Sequence, residues 1–474
     1  MLWLCLHMAS LSADVFTRAG TVREPFVVVA GDGTRQAVVA PSARAARAGV
    51  CRGMALGAAH ALSPGLSVFR RDEASEAAAL ARLAAWAGRF TPFVSLSPPR
   101  EVLLEVAGSL RLFGGPDGLW TKVADGIRGL GYTAKMALAP TPLGAALLAR
   151  ARPGTRVTGT GGLESAIAFV PLDVLDIAPD ALAAFRALGL SRVGDCLKLP
   201  RAGLVRRFGE EPLRSFDRAL GKLPDPREPF VPPSRFEGRL LLPAESIAAE
   251  PLLFAARRLL LELDGYLAAR GEGAGEVRLA LFHREGRATR LEVGLVSPAR
   301  DPAYLLGLLR ERLAATRIPE PVSAVGLSVE TVLPLSPGNR ELWKEPARDV
   351  RDAWPALVER LRARLGGKAV QGLAVAAEHR PERSFLRTKV SRGDEPWVAP
   401  RFGLRPFWLL SLPAPLAREC VTLLAGPERI ESGWWDGDDV RRDYFVAEDS
   451  RGSRLWVFRE RGGEGRWYLH GIFG

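Results

Sequence analysis

LSPPREVLLEVAGSLRLFGG, Leu96–Gly115, holds an apolar run of strand length, Val102 to Leu104, between Glu101 and Glu105. Side chains alternate along a strand, so Glu101 and Glu105 share one face, and Arg100 sets a guanidinium directly before the first carboxylate. An apolar run with a glutamate is common in any α/β protein, so the stretch gains weight only from what accompanies it. Three companions stand in order around it. They are an opening strand, LWLCLHMASLSADVF (Leu2–Phe16), the element PSARAARAGVCRGM (Pro41–Met54) and the turn APTPLG (Ala139–Gly144).

In this order and spacing the four stretches resemble the palm and fingers of Y-family DNA polymerases. The resemblance implies two-metal phosphoryl transfer, in which grouped carboxylates hold two divalent ions about 3.5–4 Å apart against a triphosphate and a primer hydroxyl. Active relatives carry Asp-Glu at the start of the palm strand and a third carboxylate on the opening strand. This chain has Arg100 and Glu101 at the first two places and Met8 at the third. Ala43 and Ala46 replace a tyrosine and an arginine that hold the triphosphate, and Arg152, Pro153 and Gly154 replace a Lys-Pro-Asn-Gly element. The resemblance therefore implies no catalytic site, with Met8, Arg100 and Glu101 as degenerate positions, no bound metal and no other cofactor.

The implied fold class is α+β multidomain. Palm and fingers are expected over 1–160, a helical thumb over 161–230, an α/β little finger over 231–335, a candidate clamp-binding peptide over 336–346 and a C-terminal partner-interaction region, a helix and a small β module, over 347–474. A chain of 474 residues is too long for one core.

Leu182–Gly209, LAAFRALGLSRVGDCLKLPRAGLVRRFG, resembles a helix-hairpin-helix. Gly189, Val193 and Gly194 would bring backbone N–H groups to a DNA phosphate, with Arg201, Arg206 and Arg207 on the following helix; a plain packing hairpin is the alternative. A proline-rich tether, FVPPSRFEG, follows around Pro232 and Pro233. Beyond it the pattern predicts a helix over 248–270, strands over 275–284 and 287–295, a helix over 301–314 and a strand over 322–333. Arg278, His283, Arg284, Arg287 and Arg290 would line a DNA face there; singly, each reads equally as a solvated charge.

SPGNRELWK, Ser336–Lys344, is polar and extended around an apolar pair. Asn339, Leu342 and Trp343 resemble a degenerate sliding-clamp peptide, with Trp343 as anchor; packing of Trp343 onto its own domain is the alternative. Of eleven tryptophans, eight lie from Trp343 onward, which sets the C-terminal region apart in composition. Its last block, from Gly426, predicts short antiparallel strands, with Asp436, Asp438 and Asp439 poorly spaced for a metal and DVRRDY as a charged strand edge.

A formal charge of +12 suggests a polyanionic partner, most simply nucleic acid, although the preponderance of arginine and alanine also fits a GC-rich coding bias. No apolar run reaches the ~18–20 residues of a membrane span, so no membrane partner is expected. The first charged residue is Asp14, unlike a secretory signal, and four scattered cysteines form no CxxC pair or disulfide framework, which predicts a cytoplasmic protein.

From Leu2 to WYLHGIFG the chain resembles the ImuB family, the catalytically inactive Y-family homologues of bacterial mutagenesis cassettes. That implies an SOS-induced translesion adaptor for DNA repair. Its partners would be primer-template DNA, the sliding clamp, an error-prone C-family DNA polymerase, an ImuA-like RecA-related protein and RecA. Two other readings stay open: a weak polymerase using Glu101, Glu105 and Asp14 as unusual ligands, and a stand-alone DNA-binding module.

Overall fold

The computed structural model describes all residues except 285, 336–345, 389, 391–404, 463 and 474. It divides into two compact units, Met1–Arg364 and Leu365–Gly474.

The first unit is built on a four-stranded antiparallel sheet in the order Val94–Ser97, Glu101–Glu105, Trp3–His7, Lys135–Ala139. Its strands read as continuous apolar runs because both faces are covered. Leu4, Leu6, Met8, Val102 and Leu104 pack into a core with helices Glu73–Ala87 and Gly115–Leu130. On the reverse face, Trp3, Cys5, Leu103 and Ala137 pack against helix Pro142–Ala151 and the helices after it. Helix Pro142–Ala151 starts where the sequence instructs it to. Thr141 caps it by accepting from Gly144 N at 3.1 Å, Pro142 supplies the fixed φ of a first turn, and the Thr141 hydroxyl also donates to Ala219 O at 2.6 Å.

A small sheet, in the order Ala37–Pro41, Phe26–Ala30, Ser67–Arg70, carries helices Ala43–Arg47 and Leu56–Leu62 at the fingers position. Five helices follow the palm: Leu163–Ala168, Pro179–Ala187, Val193–Leu197, Arg201–Phe208 and Glu211–Leu220. Of these, Val193–Leu197 and Arg201–Phe208 fall where the hairpin pattern put them.

In the little-finger segment the sheet order is Ala288–Ala299, Glu272–His283, Val322–Val329, Phe236–Ser246. Strand Phe236–Ser246 was not anticipated: the sequence expectation ran the tether through Gly238, yet Phe236, Gly238 and Leu240 alternate inward from the third residue after Pro233. Helices Ala249–Arg270 and Pro302–Ala314 cover one face. Helix Ala249–Arg270 also docks on the palm helices. Glu262, fully buried, pairs with Arg18 and with Arg82 Nε at 2.9 Å, while Arg258 donates to Gly129 O at 2.8 Å. Gly265 lies so close to Trp86 that an added Cβ would stand 2.2 Å from its ring.

The second unit holds a five-stranded antiparallel sheet, Trp408–Leu416, Trp467–Ile472, Arg454–Glu460, Val440–Asp449, Val421–Ser432, and a hairpin of Gly372–Val375 with Phe385–Thr388. DVRRDY was expected at a strand edge, but Val440–Asp449 pairs on both sides and is interior. Asp436 and Asp438 are taken by the protein's own cations: Arg380 grips Asp436 at 2.6 and 3.0 Å, and Arg383 reaches Asp436 at 2.9 Å and Asp438 at 2.7 Å. The helix expected in the C-terminal region runs Pro346–Leu365. No described helix is long and apolar enough to cross a membrane.

Candidate functional site: a palm with an arginine-locked glutamate

Antiparallel register sets His7 opposite Glu101 and Trp3 opposite Glu105. This corrects the assignment on the opening strand. Met8 is fully buried in the core of the opposite face, and the side chain that meets Glu101 is that of His7, one residue earlier, as the period of two requires. His7 Nδ1 lies 2.9 Å from Glu101 Oε1. Arg150, in the last turn of helix Pro142–Ala151, donates from Nε to Oε1 at 2.6 Å and from Nη2 to Oε2 at 2.8 Å. Its Nη1 donates to Val174 O at 3.0 Å, which fixes the guanidinium from behind.

Burial pushes the Glu101 carboxyl up, but the hydrogen bonds from Arg150 and His7 outweigh it and hold it below the usual glutamate value. Arg150 is raised in turn, chiefly by its hydrogen bond to Glu101. Both carboxylate oxygens are thus engaged by a cation the chain supplies, in the bidentate form that guanidinium favours.

The other acidic candidates stand elsewhere. Glu105 Oε1 accepts from Leu2 N at 3.0 Å and Ala107 N at 3.3 Å, tying strand ends together. Asp14 accepts from Thr133 N at 3.0 Å, and burial pushes its carboxyl up to about 7. Among the described residues no three His, Cys, Asp or Glu side chains are grouped to hold a metal. Arg100 sits at the turn before the strand, its carbonyl accepting from Met8 N at 2.8 Å. Ala43 and Ala46 are exposed on their short helix.

The hairpin residues separate into two groups. Gly189 is exposed at φ +75°, whereas Val193, expected at DNA, is turned into the fold and Gly194 is half-buried. Val193 is buried and its N–H donates to Val170 O at 3.0 Å, and a Cβ on Gly194 would stand 2.9 Å from Ala168. The Asp195 carboxylate already accepts from Ser191 N at 3.2 Å and Arg192 N at 3.0 Å. Arg201 is bonded through both nitrogens to Asp217, whereas Arg206 and Arg207 are exposed.

On the little-finger sheet, Arg278 faces away from the helices, but Glu276 at 2.7 Å, Glu330 at 2.6 Å and Glu292 at 3.7 Å surround it. Arg284 pairs with Glu245 at 3.3 Å and Arg287 with Glu320 at 3.9 Å, and Arg290 is exposed. His283 does not line that face: it is buried, bonded to Thr289 Oγ1 at 2.9 Å and Pro321 O at 3.2 Å. Asn339, Leu342 and Trp343 lie outside the described residues.

Residues 7–150, the palm and fingers described above, match the impB/mucB/samB family, which makes this segment a Y-family polymerase-like domain. Protein ImuB of Caulobacter vibrioides, from two strains, is 30% identical over 87% of this chain and 97% of its own length. The chain belongs to the ImuB family. Among solved structures, a Y-family DNA polymerase chimera of Dbh and Dpo4 is similar at 16% identity and TM-score 0.41, over 70% of this chain and 99% of that one. DinB from Sulfolobus solfataricus matches at 17% identity and TM-score 0.40, over 71% and 100%.

Proposed function

We propose that this chain is a non-catalytic adaptor of SOS-induced translesion synthesis, holding primer-template DNA and the sliding clamp while it recruits an error-prone C-family polymerase. Family membership supports a role in DNA damage tolerance. The observation that carries the adaptor reading is the palm: Glu101 is bound through both oxygens by Arg150, and a guanidinium occupies the neighbouring ligand position. Two divalent ions need several free carboxylates, and here the remaining one is neutralised within the fold.

Binding energy takes the place of chemistry in this reading. Arg206, Arg207 and Arg290, exposed in the thumb and little finger, meet backbone phosphates. Leu342 and Trp343 anchor the clamp peptide. The C-terminal unit presents the polymerase, an ImuA-like RecA-related protein and RecA, so that the recruited enzyme works at high effective concentration.

A reconstitution tests this. The full chain, clamp and C-family polymerase are mixed on primer-template and resolved by size-exclusion chromatography. A ternary complex that loses the clamp on Leu342→Ala/Trp343→Ala is expected. Failure of the polymerase to co-elute with the intact chain would leave a DNA-binding module without a recruited enzyme.

A further inference from the structure

Helix Pro346–Leu365 carries apolar side chains on two faces, and the little finger uses one of them. Val358, Glu359 and Ala363 are turned into the fold. Glu359 fixes the rotation of the helix: its buried carboxylate accepts from Val296 N at 2.5 Å, from Ser297 N at 3.3 Å and from the Tyr304 hydroxyl. Val296 and Ser297 belong to strand Ala288–Ala299, and Tyr304 to helix Pro302–Ala314. Turned away from this anchor, Trp354, Leu357 and Leu361 are 55%, 50% and 39% exposed. Successive steps of three and four residues set them in one row along the helix. Arg360 and Arg364, both exposed and one turn apart, form a second row beside it. Among the described residues neither arginine makes an ion pair.

A helix already anchored through one face has no packing use for a tryptophan and two leucines on the other, and an apolar row flanked by charge is the form of a helix–helix seam. The arginine row selects what covers it. On the described part of this helix the one carboxylate is Glu359, buried and engaged, so a second copy of the helix offers the arginines no counter-charge. Nucleic-acid phosphates would meet the arginines but leave Trp354, Leu357 and Leu361 in water. A helix with its own apolar seam and carboxylates beside that seam satisfies both rows at once, because flanking charges set partner choice between helices and guanidinium pairs well with carboxylate. We propose that Trp354, Leu357 and Leu361, with Arg360 and Arg364, form the docking face for an acidic amphipathic helix of a partner protein. Tryptophan is the favoured anchor of such a contact. The face lies within the first unit, and its assignment does not rest on the adaptor reading.

The test is fluorescence anisotropy of the full chain with a labelled synthetic helix that has leucine at its seam positions and glutamate beside them. Two controls carry lysine in place of glutamate, or the same residues scrambled. The glutamate helix is expected to bind, and both controls to bind about tenfold more weakly or not at all. Leu357→Ser/Leu361→Ser is expected to lose about tenfold in affinity for it. Arg360→Glu/Arg364→Glu is expected to reverse the preference, binding the lysine helix better than the glutamate helix, a gain that a misfolded chain would not give. Equal binding of glutamate and scrambled helices, no loss in Leu357→Ser/Leu361→Ser, or no reversal in Arg360→Glu/Arg364→Glu overturns the proposal. So does a face that takes primer-template or phosphatidylserine vesicles, with binding lost in Arg360→Glu/Arg364→Glu, while the natural chain ignores the glutamate helix.

Discussion

Arg150 binds Glu101 through two parallel hydrogen bonds, 2.6 and 2.8 Å, across 49 residues of sequence. The pair ties helix Pro142–Ala151 to the palm strand.

Breaking that pair from one side leaves a buried charge alone. Arg150→Ala is expected to destabilise the first unit by about 3–5 kcal/mol, measured by denaturant unfolding, whereas the double variant Glu101→Leu/Arg150→Met stays within about 1–2 kcal/mol of wild type. Equal losses in both variants would mean that the charges contribute more than their apolar replacements.

Asp14 supplies a pH dependence. Its folded-state carboxyl titrates at about 7, above the usual aspartate range, because burial disfavours the charge. The folded state therefore holds a proton that the unfolded state has lost between about pH 4 and 7, and stability falls as pH rises through that window. Asp14→Asn, which can still accept from Thr133 N, is expected to raise Tm at pH 8 and change it little at pH 4. A Tm gain of equal size at both values would contradict the assignment.

Glu262 holds the little-finger helix to the palm through Arg18 and Arg82. Glu262→Ala leaves two arginines facing an emptied site and is expected to cost about 3–5 kcal/mol. Gly265→Ala meets the Trp86 ring at 2.2 Å and should loosen the same junction. Hydrogen exchange in helix Ala249–Arg270 checks both: faster exchange there than in the palm strands is the expected pattern.

For DNA, the exposed arginines and the paired ones should separate. Arg206→Ala and Arg207→Ala are each expected to weaken primer-template binding and to lower the slope of log K against log salt by about one. Arg278→Ala should change it less, because Glu276, Glu292 and Glu330 already offset its charge. Fluorescence anisotropy over a salt series measures the difference.

Much of the architecture was legible because it follows local rules. Apolar runs marked the palm strands, whereas Thr141-Pro142, read as part of a turn, starts a helix. Strand Phe236–Ser246 was hidden by the prolines just before it. Met8 was singled out because it follows the apolar run, but the side that faces Glu101 belongs to His7, and a one-residue shift on a strand exchanges faces. Arg150 left no local mark: its partner is distant in sequence, and the nearby Arg152 drew notice instead. The charge balance of the little-finger face was equally unreadable, since Glu330 meets Arg278 only once the sheet is assembled.

The most direct measurement is primer extension by the purified full chain, with magnesium and with manganese, beside Glu101→Ala and the double variant His7→Asp/Arg100→Asp. No incorporation by the natural chain with either metal is the predicted result, since Glu101 is held by Arg150 and Arg100 stands beside it. Incorporation by the natural chain that disappears in Glu101→Ala would contradict it and make the palm a working polymerase site.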